Sequence, residues 1–278
     1  MTERQSRIKK YFLMKNNFSF QRFFGLTLHY LYSMKRNPTR IIEILVWPSL
    51  ELILFCFLTL SINTVNSNML KLGLSILSGI VFWNFLARII QETVAQFLDD
   101  AFSKNIQNIF ITPISLFELT ISLFFASFVK MCLSLLLLSI LLIIFFPLFF
   151  SYIGYIGLIW TLFLIVFGCI LSLFALSFIF LYGERMSFIG WFISTFIEIF
   201  SCVMYARDIL PAPLKFISFF IPTSYIFESI RQYLSTGIFN PMDIIIPVYI
   251  TFIFFLISLI CLKYSYAYAK KAGILTKT

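Results

Sequence analysis

The sequence predicts an all-α polytopic membrane protein, and three observations support this prediction. Hydrophobic residues make up 60% of the 278 residues and charged residues only 12%, whereas charged residues are about 25% of a typical soluble domain. Six apolar stretches are each long enough to cross the hydrocarbon core of a bilayer, which takes roughly 20 helical residues. Between Ile41 and Leu262 the sequence contains no nucleotide-binding loop, metal-ligand cluster or catalytic constellation.

We expect six transmembrane helices with short connections, and therefore one membrane domain over residues 1–278. Because lipid offers no hydrogen-bond partners to the backbone, each crossing should be helical. A basic arm and an interface helix occupy 1–40, the six-span bundle 41–262, and a basic cytoplasmic tail 263–278. The predicted spans are Ile41–Ser61, Leu72–Phe97, Leu116–Phe146, Tyr152–Leu181, Phe188–Tyr205 and Ile244–Leu262.

The net charge of +9 is distributed unevenly along the chain. With six spans, both termini share one side with Lys104 and Arg185, and that side carries fifteen basic residues. The positive-inside rule then places both termini in the cytoplasm, with the spans in the cell inner (plasma) membrane. We interpret the basic excess as an orientation signal that also attracts anionic membrane lipids, with no nucleic acid as partner. The opposite side carries four basic residues: Lys71, Arg207, Lys215 and Arg231.

Two segments outside the predicted spans have helical character. Phe18–Arg36 repeats apolar residues every three or four positions, which predicts a basic amphipathic helix in the membrane interface. A cytoplasmic helix packed on a partner subunit is the alternative. Arg207–Asn240 is apolar but contains three prolines and several charges, which are costly to bury in lipid. We predict that Ala212–Phe220 and Ser224–Leu234 form a re-entrant external hairpin, with a hairpin on the outer surface as the alternative.

The connection between the second and third spans is predicted to contain a short cytoplasmic helix. Asp99 or Asp100 is a suitable N-cap, and Thr112-Pro113 ends the helix. Ser115 and Glu118 have the spacing of a capping box for the next span. An exposed apolar stripe is typical of a contact surface, although packing onto the chain's own helix ends is the alternative. The residues of this segment that we expect to make contact are Phe102, Lys104, Ile106, Ile109 and Phe110.

Five charged residues fall well within the predicted spans. Arg88 and Glu92 are four residues apart and can meet on one helix, whereas Glu51 can reach Arg88 from another helix and Glu198 can reach Lys130. Ion pairs that fix helix packing, a polar lining for a substrate headgroup and a proton relay all remain open. The single histidine, His29, and five cysteines within the apolar spans predict no metal site.

Three motifs in register resemble the membrane subunits of the ABC type-2 exporter family. Asn108-Ile109-Phe110-Ile111-Thr112-Pro113 through Leu119 is similar to the family's coupling-helix pattern. Ile221-Pro222-Thr223-Ser224-Tyr225 through Arg231 resembles its external hairpin. Arg40-Ile41-Ile42-Glu43 followed by Trp47-Pro48 resembles the start of its first span.

The resemblance implies a permease subunit that works with a second permease copy, identical or closely related, and two ATPase subunits. ATP and Mg would be held by the ATPases, and no cofactor or catalytic residue is expected on this chain. The substrate would be amphipathic, lipid-linked or a hydrophobic drug, moved out of the cytoplasm or inner leaflet. The external hairpin would close the outer mouth of the path through Pro222, Tyr225, Phe227, Glu228 and Arg231.

Three other interpretations remain. Glu228 and Arg231 are three residues apart, so a local ion pair that only makes the external helix soluble is an alternative role for them. For the whole chain, an ion-coupled secondary transporter would need no ATPase. A membrane-embedded transferase would need acid–base or metal-binding groups at the membrane surface, and His29 with scattered carboxylates supplies no obvious set.

Overall fold

The computed structural model describes residues 18–65 and 70–272, and this part of the chain is helical without any strand. The α-helices are α1 (Phe20–Arg36), α2 (Pro38–Val65), α3 (Leu70–Phe102), α4 (Asn105–Ile111), α5 (Leu116–Phe145), α6 (Phe149–Ile153), α7 (Ile156–Tyr182), α8 (Ile189–Phe200), α9 (Ala212–Ser218), α10 (Pro222–Thr236) and α11 (Met242–Ala272). Short 3₁₀ turns at Gly183–Met186 and Arg207–Ile209 flank α8 on its two sides.

Among the described residues, five helices are long and apolar enough to cross a membrane: α2, α3, α5, α7 and α11. The chain therefore has the helices of a multi-pass membrane protein. The predicted fifth span, Phe188–Tyr205, contains a helix of only 12 residues, α8. At 1.5 Å per residue α8 is about 18 Å long, short of the ~30 Å hydrocarbon core. The helix ends at Phe200, and turns follow in which Cys202 has a left-handed φ of 57°.

Helices α3 and α7 form the centre of the bundle. The most apolar window of α3 is 83% buried and that of α7 is 61% buried, against 17–28% for α2, α5 and α11. Close contact is possible because glycines lie where backbones meet. A Cβ on Gly168 of α7 would lie 3.1 Å from the carbonyl oxygen of Leu86 in α3. Because the apolar windows of α2, α5 and α11 are mostly not buried, these outer helices present apolar side chains outward, as lipid-facing helices do.

The two ends of the described chain lie at the same end of the bundle. Leu26 and Tyr30 of α1 share one buried apolar cluster with Leu262 and Ala269 of α11. At the opposite end, Lys71 Nζ at the start of α3 donates to the carbonyl oxygen of Ser235 in α10, at 3.2 Å. Because α8 starts in the first cluster and α10 ends near Lys71, the segment from α8 to α10 carries the chain across the bundle.

Several boundaries differ from the sequence predictions. The second span does not end at Phe97, because α3 continues to Phe102, and Asp99 and Asp100 bind other helices instead of capping α4. The fourth span does not start at Tyr152, because a separate short helix, α6, ends at Ile153 and α7 begins at Ile156. Helix α11 extends to Ala272, ten residues into the predicted tail. The predicted basic arm, Met1–Asn17, lies outside the described residues, as do residues 66–69 and 273–278.

Candidate functional site

The predicted coupling segment is a short helix set off from α3 by a sharp turn. Helix α4 begins at Asn105, after Lys104 adopts a left-handed conformation with φ 57°. The apolar stripe is divided: Ile106 and Ile109 are buried against the chain itself, at 4% and 8% exposure, whereas Phe102 is 57% exposed. The alternative of packing on the chain's own helix ends therefore holds for the two isoleucines. Lys104 is exposed, and the side chain of Phe110 lies outside the described set.

A polar junction that the sequence analysis missed joins α1, α3 and α4. His29 Nε2 lies 2.8 Å from Asp100 Oδ1, and Asn105 Nδ2 donates to the same carboxylate oxygen at 3.1 Å. The hydrogen bond with Asp100 raises the pKa of His29 above its usual value of 6.5, although burial of the ring acts in the opposite direction. Nearby Arg40 binds Asp99 through two hydrogen bonds, of 2.8 and 3.2 Å. These contacts fix the connection from which α4 projects.

Glu118 joins the start of α5 to the start of α1. The predicted capping box is present: Ser115 Oγ accepts from the backbone N–H of Glu118, and Glu118 Oε2 accepts from that of Ser115. Glu118 Oε1 also accepts from the backbone N–H of Ser19 at 2.7 Å and from Arg22 at 2.9 Å. Helix α1 therefore packs on its own chain, chiefly on α5 and α2. The sequence analysis gave packing on a partner subunit as the alternative for this helix. Contacts within the chain already hold α1 in place, so a partner is not needed for that purpose.

Within the bundle, the five predicted intramembrane charges are arranged differently from the expected pairs. Lys130 Nζ lies 3.7 Å from Glu92 Oε2, and both side chains are buried. The predicted pairing of Glu198 with Lys130 is wrong, because Glu92 takes that position. Arg88 forms no ion pair within 4.0 Å with any described carboxylate, and neither do Glu51 and Glu198 with described basic groups. Glu51 is near enough to both Arg88 and Glu198 for their charges to interact.

A seam of uncharged polar residues runs beside these charges and joins α3 to its neighbours. Gln91 Nε2 donates to Ser194 Oγ of α8 at 3.2 Å. Ser127 of α5 bonds to Thr93 at 2.9 Å and to Gln96 at 2.8 Å. In the sequence, the residues of this seam could have been found as Ser, Thr and Gln that recur within otherwise apolar spans. The seam holds α3 in a fixed rotation, with Arg88, Gln91 and Glu92 directed toward one pocket.

That pocket lies between α2, α3 and α8, toward the end of the bundle that holds α1. Its volume is about 380 Å³. Trp47 of α2 and Trp191 of α8 form its walls, and both are more than half exposed. Arg40 and Glu43, which pair with each other at 2.8 Å, stand at its edge. An open pocket with aromatic walls and a charged floor is suited to a molecule with an apolar part and a polar group.

The segment before the last helix folds back into the bundle. The turn after α8 reaches Gly79, where an added Cβ would lie 2.3 Å from the carbonyl oxygen of Val203. Phe227 of α10 is 1% exposed and packs on Trp83 of α3, with ring centroids 6.2 Å apart. Trp83 is thirteen residues into α3, so Phe227 lies about 20 Å along that helix from its start. The predicted pair of short helices is present as α9 and α10.

The charged residues of the hairpin bind backbone groups that the end of α8 leaves open. Arg231 donates to the carbonyl oxygen of Cys202. Glu228 lies 3.0 Å from Arg231 and accepts from the backbone N–H of Arg207 at 2.7 Å. The predicted local ion pair is therefore part of a larger network. Pro222 begins α10 and is buried, while the guanidinium of Arg207 lies 4.4 Å from the ring centroid of Tyr225.

Comparison with known proteins adds no family to this description. No protein-family model matches the chain, and no curated protein matches it. The site is therefore defined by its own geometry: an anchored short helix at one end of the bundle, a pocket above it with a charged floor, and a folded-back hairpin toward the other end.

Proposed function

We propose that this chain is the membrane-spanning permease subunit of an ATP-driven exporter of the ABC type-2 class. Two permease copies would enclose the path, and two separate ATPase subunits would bind below them. In this proposal the end of the bundle that holds α1 and α4 is cytoplasmic, as the fifteen basic residues predicted on that side favour. The α8-to-α10 segment would serve as the fifth of six crossings and, with its folded-back hairpin, close the outer mouth.

The observation that carries the proposal is the attachment of α4. A seven-residue helix is held between two of the long helices, α3 and α5, with Phe102 exposed beside it and Ile111 74% exposed at its end. Its buried side is fixed by Ile106, Ile109 and the His29–Asp100–Asn105 junction. A partner that pushes on the exposed side would therefore move α1, α3 and α5 together, because they share these contacts. Force from ATP hydrolysis needs such a rigid connection to reach the spans.

The pocket supports a transport path. Trp47 and Trp191 leave large apolar surfaces uncovered beside buried charges, and the hydrocarbon of lipid is a poor solvent for Arg88 and Glu92 below them. A second copy placed over this face would cover the charges and enlarge the pocket into a shared cavity. An amphipathic, lipid-linked or hydrophobic drug-like substrate fits walls of this kind.

The experiment places a charge on the exposed side of the coupling segment. We expect the tagged wild-type chain, purified from its native cells, to carry ATP hydrolysis activity with it. Phe102→Asp should reduce the associated ATPase protein at least about tenfold, because an exposed apolar contact would be replaced by a charge. Phe220→Asp is the matched control, since Phe220 is 58% exposed near the hairpin, compared with 57% for Phe102. Unchanged association in Phe102→Asp, or wild-type chain without any ATPase, would contradict the proposal.

An ion-coupled secondary transporter is the second candidate, and the buried Lys130–Glu92 pair favours it, because such pairs occur in proton relays. The two candidates differ in their energy source. Transport by the purified chain alone in vesicles with a proton gradient would establish the second candidate and exclude the first.

A further inference from the structure

Arg88 lies on the floor of the pocket between α2, α3 and α8 and has no assigned role there. Its side chain is 5% exposed, its Nε atom has no hydrogen-bond partner, and no described residue forms an ion pair with it. A buried guanidinium without an ion-pair partner is costly, because carboxylates beyond ion-pair distance only partly replace the water that it has lost. An arrangement of this kind indicates a position that a ligand fills.

The other charges that line the pocket already have partners. Glu43 lies 2.8 Å from Arg40, and Glu92 lies 3.7 Å from Lys130. Glu92, Glu51 and Glu43 interact with Arg88 only at longer range, beyond ion-pair distance. Among the described residues Arg88 is thus the lining charge without an ion-pair partner, and a planar guanidinium binds carboxylate and phosphate groups through two parallel hydrogen bonds.

Gln91 supplies a second unused group beside Arg88. The two residues are three apart on α3 and therefore lie on the same face. Gln91 Nε2 is engaged by Ser194, but Gln91 Oε1 has no hydrogen-bond partner although the residue is only 9% exposed. This oxygen accepts a hydrogen bond, such as one from a hydroxyl next to an anionic group. The apolar walls of the pocket adjoin this polar floor. They are formed by Ile42, Val46, Trp47 and Trp191.

We propose that Arg88 binds the phosphate or carboxylate group of an anionic amphiphile, with the apolar part of that molecule along Trp47 and Trp191. This assignment deepens the proposed function, on which it rests, by naming the class of substrate: an anionic headgroup on a hydrocarbon body. Gln91 then selects among anions by accepting a hydrogen bond from a neighbouring hydroxyl.

The test measures binding directly and needs no ATPase. The full chain in lipid nanodiscs is titrated with radiolabelled dodecyl phosphate, with empty nanodiscs as the blank. We expect saturable binding that Arg88→Gln weakens at least about tenfold, since a charge-assisted hydrogen bond is lost. The affinity of Arg88→Lys should lie between those of wild type and Arg88→Gln. Lysine keeps the positive charge but lacks the planar guanidinium that donates two parallel hydrogen bonds. Arg185→Gln, the same change at an exposed turn, is the matched control and should bind as wild type.

A second variant, which leaves Arg88 intact, keeps the proposal testable if Arg88→Gln does not fold. Val46→Trp places a larger side chain on the pocket wall, at a position that is 44% exposed. It should also reduce dodecyl phosphate binding, because the larger side chain occupies part of the pocket. Competition by inorganic phosphate would support a free anion as the source of the ligand, whereas competition by the amphiphile alone would support a lipid-like source.

Three outcomes separate this proposal from the proposed function. Equal binding by wild type and Arg88→Gln, or stronger competition by dodecyltrimethylammonium than by dodecyl phosphate, would overturn the anion site. Arg88-dependent binding in a chain that never associates with an ATPase would support the anion site and overturn the exporter. An exporter whose ATPase activity responds equally to anionic and cationic amphiphiles in wild type and Arg88→Gln would overturn the anion site alone.

Discussion

At the residue scale, Glu118 shows how one buried carboxylate joins two helices. Its side chain is fully buried, and its two oxygens accept hydrogen bonds from Ser19, Arg22 and Ser115. Two of these donors belong to helix starts, whose first N–H groups have no partners within the helix. A carboxylate placed there also interacts favourably with the positive end of the helix dipole. Glu118 therefore fixes where α1 begins and how it lies against α5.

Replacing this carboxylate should weaken the bundle without changing its fold. We expect Glu118→Gln to lower the free energy of unfolding by about 2 kcal/mol, because one amide oxygen cannot replace two charged acceptors and Arg22 loses its ion pair. The measurement is unfolding of the purified chain by titration with a denaturing detergent. Glu184→Gln, at the turn between α7 and α8, is the control and should change stability by less than about 0.5 kcal/mol. Equal effects of the two substitutions would contradict the role of Glu118.

At the scale of elements, the connection between α3 and α4 shows why the predicted N-cap at Asp99 or Asp100 is wrong. Asp99 and Asp100 have the right chemistry for an N-cap, and the sequence places them just before an apolar stripe. In the structure Arg40 and His29 bind these carboxylates from α2 and α1, so α3 continues past them. Contacts from distant helices thus override a local preference. The same junction predicts a dependence on pH.

The His29–Asp100 contact should stabilise the chain more at low pH than at high pH. Asp100 raises the pKa of His29 in the folded state, so its contribution is complete below the unfolded value of about 6.5 and disappears as pH rises through the raised folded value. Asp100, Asn105, Tyr30 and Arg36 are the polar groups around this ring. We expect wild type to have a higher thermal midpoint than His29→Gln at pH 6, with the difference reduced at pH 9.

The control for this prediction removes the partner instead of the histidine. In an Asp100→Asn background, the additional change His29→Gln should shift the thermal midpoint equally at both pH values. A wild-type advantage over His29→Gln that grows from pH 6 to pH 9 would contradict the assignment, because the sign follows from the raised pKa.

At the scale of the whole molecule, the bundle has a separate buried apolar cluster toward each of its two ends. Tyr30, Phe97, Phe180 and Ala269 belong to the buried cluster at one end, which includes α1 and the C-terminal part of α11. Trp83, Trp160 and Phe227 belong to the second cluster, toward the other end. Tyr233 of α10 packs on Trp160, with ring centroids 5.6 Å apart. The hairpin and α4 therefore lie toward opposite ends, whichever side of the membrane each one faces.

Labelling from the two sides of the membrane tests this arrangement. Ser103→Cys and Thr236→Cys place thiols at exposed positions near α4 and at the end of α10. In intact cells we expect a membrane-impermeant maleimide to label Thr236→Cys but not Ser103→Cys, and the reverse in inside-out vesicles, because the basic side faces the cytoplasm. The wild-type chain is the control, because four of its cysteines lie within the long helices and Cys202, in the turn after α8, is buried. Labelling of both variants from the same side would contradict the proposed topology.

Much of the architecture was predictable from the sequence because lipid imposes a simple rule. A backbone in hydrocarbon must satisfy its own hydrogen bonds, so long apolar stretches become long helices. The five long spans, the capping box at Ser115 and Glu118, and the two short helices before α11 follow from patterns within single segments. The orientation of the chain and its work with an ATPase remain predictions from charge distribution and from resemblance.

What only the tertiary structure decided is which side chains meet. The sequence placed five charges inside the spans, but the pairing of Lys130 with Glu92, and the isolation of Arg88, depend on the rotation and separation of whole helices. Likewise, the apolar stripe of α4 left open whether a partner or the chain's own helix ends would cover Ile106 and Ile109, and in the structure the chain itself covers them. Helix formation in a membrane is governed by local hydrogen bonding, whereas side-chain contacts are governed by packing between segments far apart in the chain.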